Sequence, residues 1–270
     1  AGVAFVGLAG FRLRGSVAAA VEAAIAAVHP MWLQPGTLIM SESLLLTAVA
    51  GTILMALVHL EHRTTITATA SGAAAAAAVL VRSEVVLGLV LLAPVLVLLR
   101  GIGRRGVVRL AIGFGLGAVL VLGPWLVRNT VVAGSPVLST NAGVTLAGSN
   151  CGRTYAGPNR GGFDLRCALG AAAAARFQAS APPGPEREVE ADSAMRRTAI
   201  DHARAHQREA VGTAGVRVLR TWTPARLDAQ RHLDTAEGRL PRWQSAGRWL
   251  HVLLLAPAAL GAAVLLRSDR

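Results

Sequence analysis

Apolar residues along this chain form long, nearly unbroken runs separated by short polar stretches, a pattern scaled to a bilayer and not to one face of a soluble helix. A hydrocarbon core of about 30 Å takes roughly 20 residues of apolar helix. On that basis the sequence predicts a partial span at 1–11 and spans near 16–34, 43–60, 65–81, 85–100, 107–127 and 246–266. The run at 65–81 differs in kind. Thr64, Thr65, Thr67 and Thr69 precede the alanines from Ala73 to Ala78, which suits a helix buried among others. The expected fold class is therefore an all-α polytopic membrane protein. Residues 1–127 would hold one partial and about five complete transmembrane helices, and 246–270 the last one.

The polar turns alternate in charge. Arg12 and Arg14, then Arg63, then Arg100, Arg104, Arg105 and Arg109, then Arg267 and Arg270 fall on one side. On the other side the loop at 35–42 has no Arg, and the next has only Arg82 beside Glu84. Basic short loops stay in the cytoplasm, whereas long loops translocate largely regardless of charge. Residues 128–245 are thus expected as one large extracytoplasmic loop region.

Within that region, 128–170 is rich in Gly, Asn, Ser, Thr and Pro, which predicts irregular chain. A stiff linker follows at Ala181, Pro182, Pro183, Gly184 and Pro185. Residues 186–222 then read as a helix, with Glu186, Glu188, Glu190 and Asp192 early and Arg217 and Arg220 late, as the helix dipole favours. Met195, Ala199, Ile200 and Ala203 recur at helical spacing. With Trp222, Trp243 and Trp249 nearby, this predicts an amphipathic helix and aromatic belt on the outer membrane surface. An ordinary solvated helix is the alternative.

Composition sharpens this picture. The chain has 270 residues, of which 53% are hydrophobic but only 4% aromatic, and its mean hydropathy is +0.49. Ala, Leu, Val and Gly carry the apolar mass, as in helices that pack closely within lipid. The net charge of +12 would point to nucleic acid in a soluble protein. Here the arginines sit in turns and in the long polar segment, so membrane lipids are the expected partners and nucleic acid is not. Every basic residue is Arg and none is Lys, which we read as coding bias in a GC-rich genome. Ala1 to Gly10 has no charged leader pattern and resembles the end of a helix. The chain stops at Ser268, Asp269 and Arg270, just past an apolar run, so an internal piece of a longer protein is expected.

Cys151 and Cys167 are the only cysteines. In an oxidising compartment they would close a small loop worth roughly 3 kcal/mol by chain entropy. In the cytoplasm they would be two ordinary thiols.

Three polar clusters lie at helix ends on the expected outer side, where ionisable groups at membrane depth call for a partner or a cavity. The first runs from His29 and Pro30 to Ser41, Glu42 and Ser43. Glu42 either complements a helix N-terminus or anchors a sugar-phosphate site. His29 and Glu42 form too thin a ligand pattern to assign a metal. The second is Arg82, Ser83 and Glu84, either a tie between helices or a guanidinium fork for a lipid phosphate, oriented by Glu84. The third is Gly123, Pro124, Trp125, Arg128 and Asn129, followed by Ser139, Asn141, Gly143 and Asn150. There Arg128 either snorkels to headgroups or meets an anion, and the Asn, Ser, Thr and Gly groups suit sugar hydroxyls.

Pro124-Trp125, Arg128-Asn129, Ser139 to Asn141, Gly143 and Gly148 to Asn150 together resemble the family-39-type glycosyltransferases of the dolichyl-phosphate-mannose protein mannosyltransferase superfamily. The spacing of Cys151, Thr154, Tyr155, Gly157, Asp164 and Cys167 is similar to a loop in bacterial members, as is the later Arg217, Arg220, Thr221, Trp222 ending. Ser41-Glu42 and Arg82 to Glu84 resemble that family's upstream helices. The resemblance implies a partial GT-C helical bundle in a bacterial plasma membrane. It implies transfer of a sugar from a polyprenyl-phosphate donor to a protein, lipid or glycan acceptor on the extracytoplasmic face, with a divalent metal as an optional cofactor. It further implies supporting roles for Glu42, Arg82 and Arg128 in lining the donor-phosphate pocket, and Glu84, Asn129, Asn141 and Asn150 of the polar clusters are the other substrate-binding candidates. The family's catalytic acid lies in a first outer loop that this sequence does not contain, so no catalytic residue is assigned and the piece alone is expected to be inactive. A transporter or flippase, or a non-catalytic envelope-assembly protein, are the competing classes.

Overall fold

In the computed structural model, residues 1–37, 41–86, 103–222, 235 and 238–268 are described. Among them the secondary structure is helical throughout, without strands. The chain divides into two compact units, residues 1–125 with 242–270, and residues 126–241.

The first unit begins with α1 (Gly2–Arg14) and α2 (Ser16–Val28), an antiparallel pair turning at Gly15, whose φ of 81° lies in the left-handed region. The expected span at 16–34 is broken. His29 takes an extended conformation and Pro30 starts a separate helix, α3 (Pro30–Thr37), because the residue before a proline is driven out of the helical region. Next come α4 (Glu42–His62) and α5 (Thr65–Val81). The Thr64 hydroxyl caps α5 by accepting the Thr67 N–H at 3.1 Å. The span expected near 85–100 lies outside the described residues apart from its first two.

α6 (Arg104–Ala133) is longer than the expected 107–127 and runs through Pro124. At 30 residues it is about 45 Å long. It packs on α5 through small residues. A side chain at Gly113 would strike Ala68, and one at Gly117 would strike the Thr69 carbonyl. The i, i+4 pair of glycines lets the two backbones approach as closely as in packed membrane helices. α12 (Pro241–Ser268) completes this unit, tied to α3 by a buried hydrogen bond of 2.6 Å from Gln244 to Gln34.

Among the described residues, α4, α6 and the Pro241–Val264 part of α12 are long and apolar enough to cross a membrane. α2 and α5 are apolar but shorter. These helices associate the protein with a membrane.

The second unit overturns the irregular chain expected over 128–170. It contains α7 (Ala142–Ser149), α8 (Gly152–Tyr155) and the start of α9 (Leu165–Gln178). The helix expected over 186–222 is two helices, α10 (Pro185–Ala205) and α11 (Gln207–Trp222), separated at His206. Part of the apolar stripe of α10 is buried within the unit. Ala191, Met195 and Ala199 form a core with Ala147 of α7 and Ala172 and Ala175 of α9. Those α10 residues are thus spent on packing, whereas Ile200 of the expected stripe is 38% exposed. Trp222 side-chain placement lies outside the described residues.

Candidate functional site

In the first unit, Glu42, Arg82 and Glu84 come together. Glu42 is the first residue of α4, and Arg82 follows α5 with an extended backbone. Arg82 donates from Nη1 to Glu42 at 2.9 Å and from Nε to Glu84. Burial works against ionisation of Glu84, yet its backbone N–H and the Arg82 hydrogen bond and charge hold its carboxyl below the usual value. Two carboxylates flank one guanidinium, which is the geometry of a helix tie. The N-terminus of α4 and the C-terminus of α5 are joined across 40 residues of chain.

In the second unit, Arg128 and Asn129 lie within the last turns of α6, not after its end as expected. Asn129 is buried and donates from Nδ2 to the Val137 carbonyl at 2.7 Å. Its Oδ1 accepts from Arg128 at 2.9 Å. Gly134, with φ of 66°, turns the chain so that Val137 can return to that amide. Asn129 therefore orients a cation at the end of a long apolar helix.

Asn141 and Asn150 bracket α7. The Asn141 side chain is exposed and makes no capping bond, so its amide stays on the surface. Asn150 is an internal strut. Its Oδ1 accepts from Tyr155 Oη at 3.1 Å and Arg217 at 3.5 Å, and its Nδ2 donates to Leu146 O at 3.0 Å. Arg217 also donates to the Ser149 carbonyl. That leaves Asn150 little capacity for a sugar hydroxyl.

Cys151 and Cys167 are joined by a disulfide, with Cα atoms 6.5 Å apart. Asp164 caps α9 by accepting the Cys167 N–H at 3.1 Å, and accepts from Arg153 at 2.8 Å. The Arg153 hydrogen bond outweighs burial and, with the Cys167 and Arg166 N–H groups, holds the Asp164 carboxyl below its usual value.

The divalent cation that the resemblance allows finds no fitting donors in His29 and Glu42. His29 Nδ1 accepts the Met31 N–H at 3.1 Å, and Glu42 is held by Arg82. Among the described residues no group of three or more His, Cys, Asp or Glu side chains could hold a metal.

Sequence reasoning missed Glu22. It is the single acid in the Ala-rich α2 and faces a groove of about 260 Å³ lined also by Val6, Ile25, His29, Trp32 and Leu254. Gly10 of α1 leaves room for it, because a side chain there would meet the Glu22 carboxyl. The signal was present in the sequence, since a carboxylate inside an apolar run marks a functional position by default.

No protein-family model, curated protein or solved structure matches this chain.

Proposed function

We propose that this chain belongs to a polytopic bacterial plasma-membrane glycosyltransferase of the GT-C kind, with residues 128–245 on the extracytoplasmic face. It takes its sugar from a polyprenyl-phosphate donor and passes it to a protein, lipid or glycan acceptor. The observation that carries the reading is Arg128, oriented by the buried Asn129 at the end of α6. When the sugar leaves, negative charge grows on the polyprenyl phosphate. A guanidinium held at the end of a membrane helix is placed to stabilise that charge. Arg82 serves mainly to tie α4 to α5 in this account, and Asn141 offers an exposed amide to a sugar. No catalytic acid or base is assigned within this chain, and no step runs through a metal.

The test is transfer of labelled sugar from a polyprenyl-phosphate donor by membranes carrying the protein expressed from its own gene. Arg128→Ala is expected to lower the rate by about 100-fold or more, the usual cost of one charge-stabilising donor, and Arg128→Lys by less. Wild-type transfer by Arg128→Ala refutes the phosphate role.

A transporter or flippase is the second reading, and one observation favours it. Glu22 faces a groove within the apolar helices, where substrate and proton pathways put their carboxylates. Flux of a lipid-linked or soluble substrate that depends on Glu22, without sugar transfer, would make this the better account.

A further inference from the structure

Glu22 is an acid in the middle of an apolar helix, and its surroundings define what it can hold. On α2, Glu22, Ile25 and Ala26 recur at i, i+3 and i+4, and His29 follows at i+7. One face therefore leads from the carboxylate to the break before α3. That face lines the groove together with Val6 of α1, Trp32 of α3 and Leu254 of α12. Gly10 admits the Glu22 carboxyl on the α1 side, and Gly2 admits the rim of the Trp32 ring, where a side chain would collide. Carboxylate and aromatic ring are thus both seated against α1. Among the described residues no cation and no hydrogen-bond donor engages the Glu22 carboxylate. His29 does not supply the charge. Its Nδ1 accepts the Met31 N–H, and an imidazole with one nitrogen free of a proton is neutral. Arg12, on the same helix as Gly10, is held by Glu61.

We propose that this groove binds a lipophilic amine, a molecule with an ammonium group on a hydrocarbon body. A lone carboxylate among apolar side chains is costly unless a counter-charge meets it. Charge complementarity therefore asks for a cation, and the walls select which kind. A metal ion would need several more oxygen or nitrogen ligands, whereas the groove offers hydrocarbon from Val6, Ile25 and Leu254. An ammonium needs one carboxylate and gains further from an aromatic ring beside it, the part that falls to Trp32. Its hydrocarbon body then lies along the apolar walls, as ligands do in pockets with few polar groups. The groove volume of about 260 Å³ sets the size. At ~30 Å³ for each non-hydrogen atom, the share of a water in the liquid, it holds roughly nine of them. Octylammonium is of that size.

The probe is radiolabelled octylammonium, with octanol as its uncharged analogue. The protein expressed from its own gene is purified in dodecyl maltoside, which carries no ammonium group, and equilibrium dialysis against empty micelles gives the blank. Wild type is expected to bind octylammonium saturably, and an excess of octanol should not displace it. Glu22→Gln should lower the affinity about tenfold or more, the scale of a hydrogen bond to a charged group, while Glu22→Asp keeps most of it. Displacement by added phosphatidylethanolamine would make the lipid's own ammonium the source of the ligand, and failure to displace a free amine; both uphold the site. Octanol competing as well as unlabelled octylammonium overturns it, because the groove is then merely apolar. Wild-type affinity in Glu22→Gln, or no saturable binding by wild type, overturns it too. The octanol comparison uses wild type alone, so it decides even where the variants do not fold. Binding requires neither flux nor sugar transfer, so it stands or falls apart from both activities.

Discussion

Asp192 of α10 accepts the backbone N–H of Gly143 at the start of α7, so a side chain from one helix caps another far along the chain. The first N–H groups of a helix have no partner within it. Asn141 makes no side-chain cap here, and Asp192 supplies the missing acceptor. Arg196, one turn along α10, binds its other oxygen. Gly143 is required at that point, because a Cβ would collide with the Asp192 carbonyl. Asp192→Ala is expected to destabilise the second unit by about 1–3 kcal/mol, the cost of a buried donor left unmade. Asp192→Asn keeps an acceptor and should cost less. Denaturation midpoints of the purified protein read both; equal midpoints for wild type and Asp192→Ala would show that the cap contributes nothing.

Gly117 of α6 sets the approach to α5. Gly117→Val puts atoms where the Thr69 carbonyl lies, and overpacking of this kind costs about 1–3 kcal/mol. Thermal inactivation or proteolysis in detergent should show the loss. Gly115, where an added Cβ would meet nothing within 4 Å, is the control, and Gly115→Ala should be neutral.

The Cys151–Cys167 bond joins residues 16 positions apart. Loop-closure entropy alone makes it worth about 3 kcal/mol. Replacing both cysteines by serine should lower the denaturation midpoint, and reductant should lower the midpoint of wild type but not of the double variant. An unchanged midpoint would mean that the loop between them is held by Asp164, Arg153 and Thr154 without the bond.

Acid should weaken the second unit. Burial, and then the neighbouring charge of His206, hold the His202 imidazole below its ordinary pKa. Its ring lies against Tyr155 at 5.1 Å and His206 at 4.3 Å. The unfolded chain takes up this proton at a higher pH than the folded unit does. The stabilisation is therefore complete above the ordinary value of 6.5 and declines as pH falls below it. His202→Phe should flatten the dependence of the unfolding midpoint between about pH 7.5 and about pH 5.5. A variant that titrates like wild type would assign the dependence to another group.

Much of the helix framework was legible because bilayer length and Arg-bearing turns leave strong marks in sequence. α4, α6 and α12 follow from their apolar runs, and α10 from its early acids and the helical spacing of Met195 and Ala199. The break at His29 was legible too, in Pro30, but an apolar run on both sides hid it. What misled was the stretch at 128–170. Its Gly, Asn, Ser and Thr residues read as loop, yet Asp164 caps α9, Gly143 and Gly148 admit close neighbours, and Asn150 ties three elements together. Those residues serve packing that no local pattern encodes. Apolar positions over 186–222 have two destinations: Met195 and Ala199 of α10 are buried, whereas Val211, Val218 and Leu219 of α11 are exposed. Arg82 was legible as either a tie or an anion fork, and only its distances to Glu42 and Glu84 favour the tie.

A donor site at Arg128 requires residues 128–245 to face away from the cytoplasm. Thiol labelling in intact cells tests that most directly, using a membrane-impermeant reductant followed by a membrane-impermeant maleimide. Label on Cys151 and Cys167 before lysis, and only after reduction, is the expected result. Free thiols that react only once the cells are broken open would put this unit in the cytoplasm and contradict the proposed donor site with it.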